Sequence, residues 1–590
     1  MIQTKTKFMD RIISLVLVSI LAACSVASSA ASQAAESPAV IQSENTAVTA
    51  ASGTGSTPAR ATSEIPAPGE FYTIGSPTLT DLYVSPTGSD QNNGRSRTNP
   101  LQTIGAAWRQ IPTGELSSTG YRINLLPGTY PCEGDCINYF ADMQGSYSFP
   151  VIIQAADGAG TVTLLGGLNI ARVSYVYLLD LTVKAGREAG AAFGNNVLHI
   201  EQGDHILLRG LNLQGPQKCL TDECNDMQEV LKVNQSQYIY LEKSDLSGTF
   251  QTGLDYFAVQ HGHLLGNHIH YSGGRCAYLK GGSAYFWVEG NEFNDCVEAG
   301  FQAGEGSNLA FMQPPWLHYE AYDIKVVNNL LHDIHGAGLS VSGGFNILMA
   351  FNTLYRVGLE DASGRPWALV QLIHGTRSCI AADELGGDKG TQTRCQAQLD
   401  QGGWGTAAVG EENGGEWIPN RNVTIINNLF YNPSGSGTRY VQFVVNGPVQ
   451  PPAQAHNLPN PSRSDENLVI RGNVIWNKPL EGGMLVGDNN GSGNIGCRED
   501  NPTCNEAQLQ RENTINSFEP QLRDPAHGDL HLVSGSNLLD ISAVSLPDFS
   551  WADAPARPAV PPGNLSNVVL RDYDRLPRLL NGPVGAYGRP

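Results

Sequence analysis

Charged residues are scarce in this chain of 590 residues, at 16%, and basic residues are scarcer than acidic ones, with 36 Lys and Arg against 56 Asp and Glu. The net charge of −20 argues against a nucleic-acid partner, because phosphate contacts need a basic surface. Beyond residue 23 there is no apolar run long enough to span a bilayer. Glycine is abundant, with 66 residues, which predicts many turns and few long amphipathic helices.

The N-terminus has the features of an export signal, with a basic start and an apolar stretch at 12–23 that is too short for a permanent membrane anchor. It ends in Leu-Ala-Ala-Cys24, which resembles the bacterial lipobox. The resemblance implies that residues 1–23 are a signal peptide and that Cys24 is lipidated. The chain would then be exported and held at the outer membrane or cell surface through this lipid anchor only. An ordinary signal peptide cleaved nearby is the alternative.

Ten cysteines remain after Cys24, and an even number outside the cytosol implies disulfides. Proximity alone suggests five pairs, although sequence cannot fix their connectivity. A zinc site is the weaker interpretation, because no His cluster lies at ligand spacing beside a Cys-x-x-Cys. The suggested pairs are Cys132 with Cys136, Cys219 with Cys224, Cys276 with Cys296, Cys379 with Cys395, and Cys497 with Cys504.

A short pattern recurs along the chain: apolar strand residues, then Gly-Asn or Asn-Asn, then another short apolar strand, as in LLGNHIH at 264–270 and VVNNLLHDI at 326–334. A base period near 23 separates several copies, and longer intervals need inserted loops or extra coils. The segments between strands leave no room for crossover helices. Stacked coils would instead pair each strand with its neighbours around one continuous core, with Asn side chains forming a ladder at one turn. The residues aligned at that turn are Asp245, Asn267, Asn291, Asn329, Asn352, Asn428 and Asn473.

From about residue 80 to its end, the chain resembles right-handed parallel β-helix proteins of the pectate-lyase-like superfamily. The resemblance rests on the Asn-marked repeat, on DLYVSPTGSDQNNGRSRTNPLQTIGAAW at 81–108 and on PQLRDPAHGDLHLVSGSNLLDIS at 520–542, which looks like a final coil. It implies an all-β fold, a right-handed parallel β-helix solenoid whose open end is covered by an N-terminal capping helix. An array of small β-sandwiches is the alternative, and it leaves the period near 23 unexplained.

This fold divides the chain into five expected parts. The segment after the signal peptide is rich in Ala, Ser, Thr and Pro, cannot bury enough apolar surface to fold, and is predicted to be a flexible tether. Loop insertions are expected at 302–323 and 360–420. The parts are a signal peptide at 1–23, a tether at 24–72, an N-terminal cap with the first coils at 73–125, the parallel β-helix at 126–545 and a C-terminal extension at 546–590.

Among proteins of this fold are lyases that remove the proton α to a uronate carboxylate and eliminate the 4-linked sugar, which requires a base and a cation that neutralises the carboxylate. Residues 256–288 contain no Asp or Glu but include Arg275 and Lys280. In an acidic protein such a run predicts a local positive field suited to carboxylated sugars, or else ordinary surface composition. Strand alternation places Lys280, Gln302 and Ser340 outward in one column.

We therefore expect a polysaccharide substrate and, as the first hypothesis, a polysaccharide lyase. Lys280 is the predicted base, with His335 and Arg356 as further catalytic residues. The sequence fixes no cofactor, and calcium is compatible with such a lyase. A monomer is expected. The predicted substrate-binding residues are Arg275, Gln302, Trp316, His318, Tyr319, Ser340 and Arg377.

Two other functions are compatible with the same fold. The aromatic residues of the 302–323 insertion either stack on sugar rings or pack their own loop onto the body of the protein. A non-catalytic glycan-binding or adhesive β-helix would need no convergent acid and base groups. A glycoside hydrolase would need a pair of carboxylates across the groove, for which Glu298, Glu305 and Glu320 are the nearby candidates.

Overall fold

Short strands whose apolar residues alternate with polar ones wind into a right-handed parallel β-helix, three strands to a coil. This architecture is seen in a computed structural model. The residues that it describes are 65–131, 137–185, 196–216, 229–359, 368–379, 390–407, 415–433, 441–477, 484–489, 491–549, 565–579 and 581–590. The proposed lipidation site Cys24 lies outside these ranges.

Each complete coil runs through three parallel sheets in turn, which we number in that order. Sheet 1 contains Gly114–Glu115, Ile137–Gln144, Gly167–Ser174, the first half of Asn196–Arg209, Glu229–Asn234, Thr252–Phe257, Arg275–Lys280, Ala299–Ala303, Ala337–Ser342, Val370–Ile373, Val441–Val445 and Met484–Gly487. Sheet 2 contains Leu79–Val84, Gly120–Leu125, Val151–Ala155, Val176–Leu179, the second half of Asn196–Arg209, Gln237–Glu242, Gln260–Leu265, Ser283–Glu289, Ala321–Val327, Gly344–Ala350, Arg421–Ile426 and Val469–Arg471. Sheet 3 contains Gly128–Tyr130, Val162–Leu165, Thr182–Lys184, Asn212–Gln214, Asp245–Thr249, His268–Ser272, Glu292–Cys296, Leu330–Ile334, Thr353–Val357, Leu429–Asn432, Val474–Asn477 and Thr514–Ile515.

The core is a single column of apolar side chains inside the coils, because every second residue of a strand points inward. In Arg275–Lys280, for example, Ala277 and Leu279 are fully buried in the core, and Tyr278 and Lys280 point outward. The prediction of one continuous core under stacked coils is confirmed.

An asparagine ladder marks the corner between sheets 2 and 3. Each side chain amide donates to the next Asn carbonyl oxygen, as in Asn267 to Asn291 and Asn291 to Asn329, both at 2.9 Å. The ladder continues to Asn513, one coil beyond the predicted end. At its other end Asp245 is wrong, because Asp245 pairs with His268 in sheet 3, and the residue in register with Asn267 is Ser244.

Both ends of the core are covered. The predicted capping helix is present at Ile104–Trp108, with Thr103 as its N-cap, and Trp108 packs 5.1 Å from Phe140. At the other end lies the helix Glu506–Glu512. No helix among the described residues is long and apolar enough to cross a membrane.

The resemblance implied that the stretch 520–542 is a final coil, and this prediction is wrong. The stretch forms an antiparallel hairpin of Leu522–Asp524 and Asp529–Leu532, with 3-10 turns at Pro525–His527 and Asn537–Asp540. Its leucines pack on outward residues of sheet 3, and so it covers that face rather than extending the core.

Two insertions leave the helix at the corner between sheets 1 and 2 and pack against each other. They share a small sheet of Gly306–Asn308, Gly375–Ser378 and Glu416–Ile418. The helix Gly390–Asp400 packs on the 3-10 turn Leu309–Phe311. The insertions therefore form one body on the outside of the coils.

Three of the five predicted disulfides are present. Cys276–Cys296 joins the first and last strands of one coil, Cys379–Cys395 joins the helix of the second insertion to the small sheet, and Cys497–Cys504 precedes the C-terminal helix. The other two predicted pairings stay predictions, because their cysteines lie outside the described residues. These cysteines are Cys132 and Cys136 for one pair, and Cys219 and Cys224 for the other.

Candidate functional site

Polar side chains on the outer face of sheet 1 form a column across five consecutive coils. The register pairs Lys232 with Asp255, Asp255 with Tyr278, Tyr278 with Gln302, and Gln302 with Ser340. Each is flanked along its strand by core residues, so the alternation of the strand aims them away from the core. All but Lys232 are at most 5% exposed. Buried polar groups outside a core need a structural or functional explanation.

Asp255, the second residue of the column, contacts both of its neighbours in the column. Its Oδ2 accepts a hydrogen bond at 2.9 Å from the Tyr278 hydroxyl and another from Lys232 Nζ. Lys232 Nζ also lies 3.4 Å from Glu229 Oε1. Asp255 Oδ1 is buried and has no hydrogen-bond partner within the part of the chain that the structure describes. The column therefore holds a buried carboxylate with one oxygen hydrogen-bonded twice and the other without a partner among the described residues.

A second cluster adjoins the Tyr278 hydroxyl. Lys280 Nζ donates to that hydroxyl at 3.0 Å and to Glu305 Oε2 at 2.8 Å. The other oxygen of Glu305 lies 3.1 Å from Arg275, whose Nε donates to Gln302 Oε1 at 2.9 Å. Two cations thus hold a carboxylate beside a phenol. Glu305 is 28% exposed, since it begins the inserted loop rather than belonging to a strand.

The protonation states follow from burial and from these neighbours. Burial raises the pKa of Tyr278 well above its usual value, so the phenol is neutral. Burial alone would lower the pKa of Lys280, but Glu305 and Asp255 outweigh it and raise that pKa, so the ammonium keeps its proton. Burial alone would raise the pKa of Glu305, but Lys280 and Arg275 outweigh it and lower that pKa to about 2.

The predicted column is confirmed for Gln302 and Ser340 but wrong for Lys280, which is two residues away from its predicted place. Lys280 pairs with Phe257, and the residue opposite Gln302 is Tyr278. Lys280 still reaches the site, because its side chain bends back onto the Tyr278 hydroxyl. Arg275 and Gln302 contact each other as part of the same cluster.

The predicted positive field over 256–288 is also wrong. Carboxylates from adjacent coils and loops neutralise its cations, as Glu298 does for Arg275 at 2.6 Å and Glu305 does for Lys280. Three of its four histidines are also close to carboxylates: His263 lies 2.7 Å from the buried Glu242, and His268 and His270 lie 3.1 and 3.3 Å from Asp245. Residues 256–288 contain no Asp or Glu themselves, but Asp and Glu side chains from other parts of the chain lie next to them.

Two predicted catalytic residues lie away from Lys280. Arg356 belongs to sheet 3, where it forms an ion pair with Asp333 at 2.8 Å. His335 is exposed at the corner that follows the sheet 3 strand Leu330–Ile334. Neither has a recorded contact with the sheet 1 cluster, and we do not assign either to its chemistry.

The predicted sugar-binding residues of the insertions pack inside them. Trp316 and Tyr319 are 5% and 2% exposed and pack on the outer face of sheet 2 with Trp404 and Phe345. His318 stacks on Trp404. Arg377 is fully buried, so the structure contradicts its assignment to substrate. Its guanidinium binds the carboxylate of Glu320 and three backbone carbonyl oxygens.

The insertions nevertheless build a wall beside sheet 1. Gln235, just beyond the strand Glu229–Asn234, donates to the carbonyl oxygen of Phe311 at 3.0 Å, so the insertion reaches back to the third coil before its own. The wall supplies Glu305 to the cluster. Carbonyl and carboxylate contacts inside the wall are provided by Arg377, which therefore has a structural role.

Residues of the site that the sequence prediction missed are Lys232, Glu229, Asp255 and Tyr278, whereas Glu305 was named only as a candidate carboxylate of a hydrolase. The spacing of residues along the sequence contained the information needed to find Asp255 and Tyr278. The successive intervals along Asp255, Tyr278, Gln302 and Ser340 are 23, 24 and 38 residues. The successive intervals along the ladder residues Ser244, Asn267, Asn291 and Asn329 are the same. Applying the ladder intervals to sheet 1 would have identified Tyr278 as the neighbour of Gln302.

The sheet 1 cluster does not resemble a calcium site, which would gather six or more oxygen ligands. Its carboxylates are bound to Lys or Arg instead. Among the described residues, the only group of three His, Cys, Asp or Glu side chains close enough to share a metal ion lies on sheet 3, at Asp245, His268 and His270.

A family model described as a right-handed beta helix region matches residues 196–360, which is less than half of the chain. No curated protein matches the sequence. Among solved structures, the chain is similar to a rhamnogalacturonan lyase with 12% identity and a TM-score of 0.31, covering 50% of this chain and 76% of the other. It is similar to the pectate lyase Pel9A with 13% identity and a TM-score of 0.38, covering 88% and 98%, and to a glycoside hydrolase with 10% identity and a TM-score of 0.33, covering 53% and 98%. Likenesses of this size decide nothing about the chemistry of this chain.

Proposed function

We propose that this chain is a glycan-active enzyme that cleaves an acidic polysaccharide by β-elimination on the outer face of sheet 1. One observation carries the proposal: Arg275 and Lys280 together hold the carboxylate of Glu305 next to the hydroxyl of Tyr278. A uronate carboxylate that displaced Glu305 would meet the same two cations and the same phenol.

The elimination follows from these contacts. Arg275 and Lys280 would neutralise the uronate carboxylate, which makes the proton on the adjacent carbon more acidic. Tyr278 would take that proton as it passes its own to Asp255, the bond to the 4-linked oxygen would break, and a carbon–carbon double bond would form. The leaving oxygen would then receive a proton from the Tyr278 hydroxyl, which would recover its own proton from Asp255, so that the site returns to its starting state. No oxidant or reductant is needed.

Lys280 has a different role in this proposal from the one predicted. Its raised pKa keeps it protonated, so it suits the neutralising role better than that of a base. Tyr278 is the proposed proton carrier because, among the described residues, it is the one that contacts both Lys280 and the buried Asp255. Gln302 would orient Arg275, to which it is hydrogen-bonded.

We also propose that the enzyme works outside the cytosol, as a monomer anchored through a lipid on Cys24. The three disulfides among the described residues support an oxidising compartment. Metabolic labelling with a palmitate analogue tests the anchor: the wild-type chain should incorporate the label and Cys24→Ala should not. Equal labelling of the two chains would contradict it.

The test of the activity is a screen of pectate, alginate, glycosaminoglycans and ulvan with the purified chain, with and without calcium. Formation of the unsaturated uronate, followed by its ultraviolet absorbance, is the expected result for at least one of these glycans. Absence of unsaturated product with every glycan would contradict the lyase, and binding without any cleavage would favour an adhesive β-helix.

A glycoside hydrolase is the second candidate function. Its catalytic carboxylates would not be drawn from Glu298, Glu305 and Glu320, the candidates named from the sequence. Glu320 is bound to Arg377 in a fully buried pair and is unavailable. Asp255 and Glu229, on adjacent coils, instead share Lys232 Nζ, and burial raises the pKa of Glu229. New reducing ends without an unsaturated product would assign the activity to this pair.

A further inference from the structure

We propose that Asp245, His268 and His270, on the outer face of sheet 3, form a binding site for a divalent transition-metal ion such as Zn²⁺. The three side chains come from two neighbouring coils. His268 and His270 are two residues apart on one strand and therefore share a face, and Asp245 lies opposite His268 in the preceding coil. This site is separate from the sheet 1 cluster and does not depend on the function proposed for it.

The donor atoms converge on one point. Asp245 Oδ2 lies 3.1 Å from His268 Nδ1 and 3.3 Å from His270 Nε2, and all three donor atoms are within 4.8 Å of one another. A tetrahedral ion with bonds of 2.0–2.1 Å holds neighbouring donor atoms about 3.4 Å apart. The separations of 3.1 and 3.3 Å are thus close to the edges of a tetrahedral site.

The chemistry of the donors favours a transition metal over calcium. Two imidazole nitrogens and one carboxylate oxygen form a set typical of zinc and neighbouring metals, whereas calcium takes oxygen ligands almost alone. The three side chains are between 14% and 40% exposed, so an ion can enter from solvent and a water can complete the coordination.

Hydrogen bonds around the site orient the ring of His268 toward Asp245. Asn294 Nδ2 donates to Asp295, which turns Asn294 Oδ1 toward His268 Nε2 at 2.7 Å. His268 Nε2 thus faces the oxygen of Asn294 and Nδ1 faces Asp245 Oδ2, so a metal ion that took the place of the Nδ1 proton would lie between Nδ1 and that carboxylate. Histidine ligands of metals commonly donate their other ring N–H in this way.

His270 also presents a ring nitrogen to the Asp245 carboxylate. Neither of its ring nitrogens has a hydrogen bond within the described part of the chain, although Nε2 is 3.3 Å from the Asp245 carboxylate. One metal ion would satisfy Asp245 Oδ2, His268 Nδ1 and His270 Nε2 together. It would also link two coils, next to the coil that the disulfide Cys276–Cys296 closes.

The test is titration of the untagged, purified full chain with ZnCl₂ by calorimetry and with CoCl₂ by visible absorption. We expect one tightly bound equivalent and a tetrahedral cobalt spectrum. Asp245→Asn and His270→Gln should each weaken binding by about tenfold or more. His332→Gln is the matched control: His332 lies two coils along on the same sheet, is held by Glu292 and Asp333, and should leave binding unchanged.

The cobalt spectrum keeps the proposal testable even if a variant folds poorly, since it reports the ligands of the wild-type chain directly. Octahedral cobalt, no saturable binding of either ion, or binding that His270→Gln and Asp245→Asn leave unchanged would each overturn the proposal. Loss of binding in these two variants with activity on glycans retained would separate this site from the sheet 1 cluster.

Discussion

Tyr278 donates a hydrogen bond to Asp255 Oδ2 at 2.9 Å, across the boundary between two coils, and accepts one from Lys280 at 3.0 Å. The phenol therefore joins a buried carboxylate to a pair of cations that hold a second, partly exposed carboxylate. A network that served stability alone would be expected to leave no buried oxygen unpaired, because an unsatisfied buried acceptor costs about 1–3 kcal/mol. Asp255 Oδ1 is such an oxygen within the described residues.

Glu305 should compete with the substrate for Arg275 and Lys280. Glu305→Gln removes the resident charge, so that Lys280 loses its carboxylate partner and Arg275 keeps only Glu298, which makes both cations better able to bind a uronate. We expect the KM for the cleaved glycan to fall about fivefold to tenfold, equivalent to roughly 1 kcal/mol of binding. Steady-state kinetics measure the change, with Glu115→Gln, at an exposed position on the first coil of sheet 1, as the control. An unchanged or higher KM in Glu305→Gln would show that the carboxylate does not occupy the substrate position.

The asparagine ladder should contribute to stability at each of its positions. Asn329 is fully buried, accepts from the Asn291 backbone and side chain, and donates to Asn352. Asn329→Ala leaves these groups unpaired and should lower the free energy of unfolding by about 2–4 kcal/mol. Urea denaturation measures it. The variant Asn99→Ala, at an exposed position, is the control and should change little; a similar small effect in both variants would contradict the role of the ladder.

His332 should make the fold less stable in alkali. Burial alone would lower the pKa of His332, but hydrogen bonds to Asp333 and Glu292 outweigh it and raise the pKa to about 9. A folded-state pKa above the unfolded value of about 6.5 means that the stabilisation is complete below pH 6.5 and is lost as the pH rises through 9. We expect a loss of roughly 2–3 kcal/mol between pH 6 and pH 10 in urea unfolding.

The variant His332→Gln isolates that effect from other titrating groups. It should be less stable than the wild type at pH 6 and should lose less stability on going to pH 10. If the two chains lose equal stability over this range, then His332 is not the group responsible.

The sequence was informative about the fold because each coil repeats the same local requirements. Asn267, Asn291, Asn329, Asn352, Asn428 and Asn473 all stack at one corner, where each side chain amide satisfies backbone groups of the preceding coil, and that need leaves a period that can be read directly. Asp245 was misplaced because Ser244 performs the same function with a hydroxyl, which a search for Asn cannot detect.

The site was only partly predictable. Sheet 1 has no marker residue of its own, so a shift of two residues put Lys280 in place of Tyr278 while keeping both side chains outward. The contacts of Glu305 and Glu298 with Lys280 and Arg275 were not predicted for a different reason. Glu305 comes from an inserted loop, and Glu298 from the corner of the next coil, so neither position follows from the repeat. Burial of Trp316 and Arg377 depends on how the two insertions pack together, which their sequences do not specify.

The most direct test of the account is the rate of unsaturated-uronate formation by Tyr278→Phe compared with Tyr139→Phe. Both changes remove one hydroxyl from the outer face of sheet 1; Tyr139 is 56% exposed and lies on a distant coil. We expect Tyr278→Phe to lose about a hundredfold or more in kcat while it still folds and binds the glycan, because the proton carrier is gone, and Tyr139→Phe to match the wild type. Wild-type activity in Tyr278→Phe would contradict the central claim.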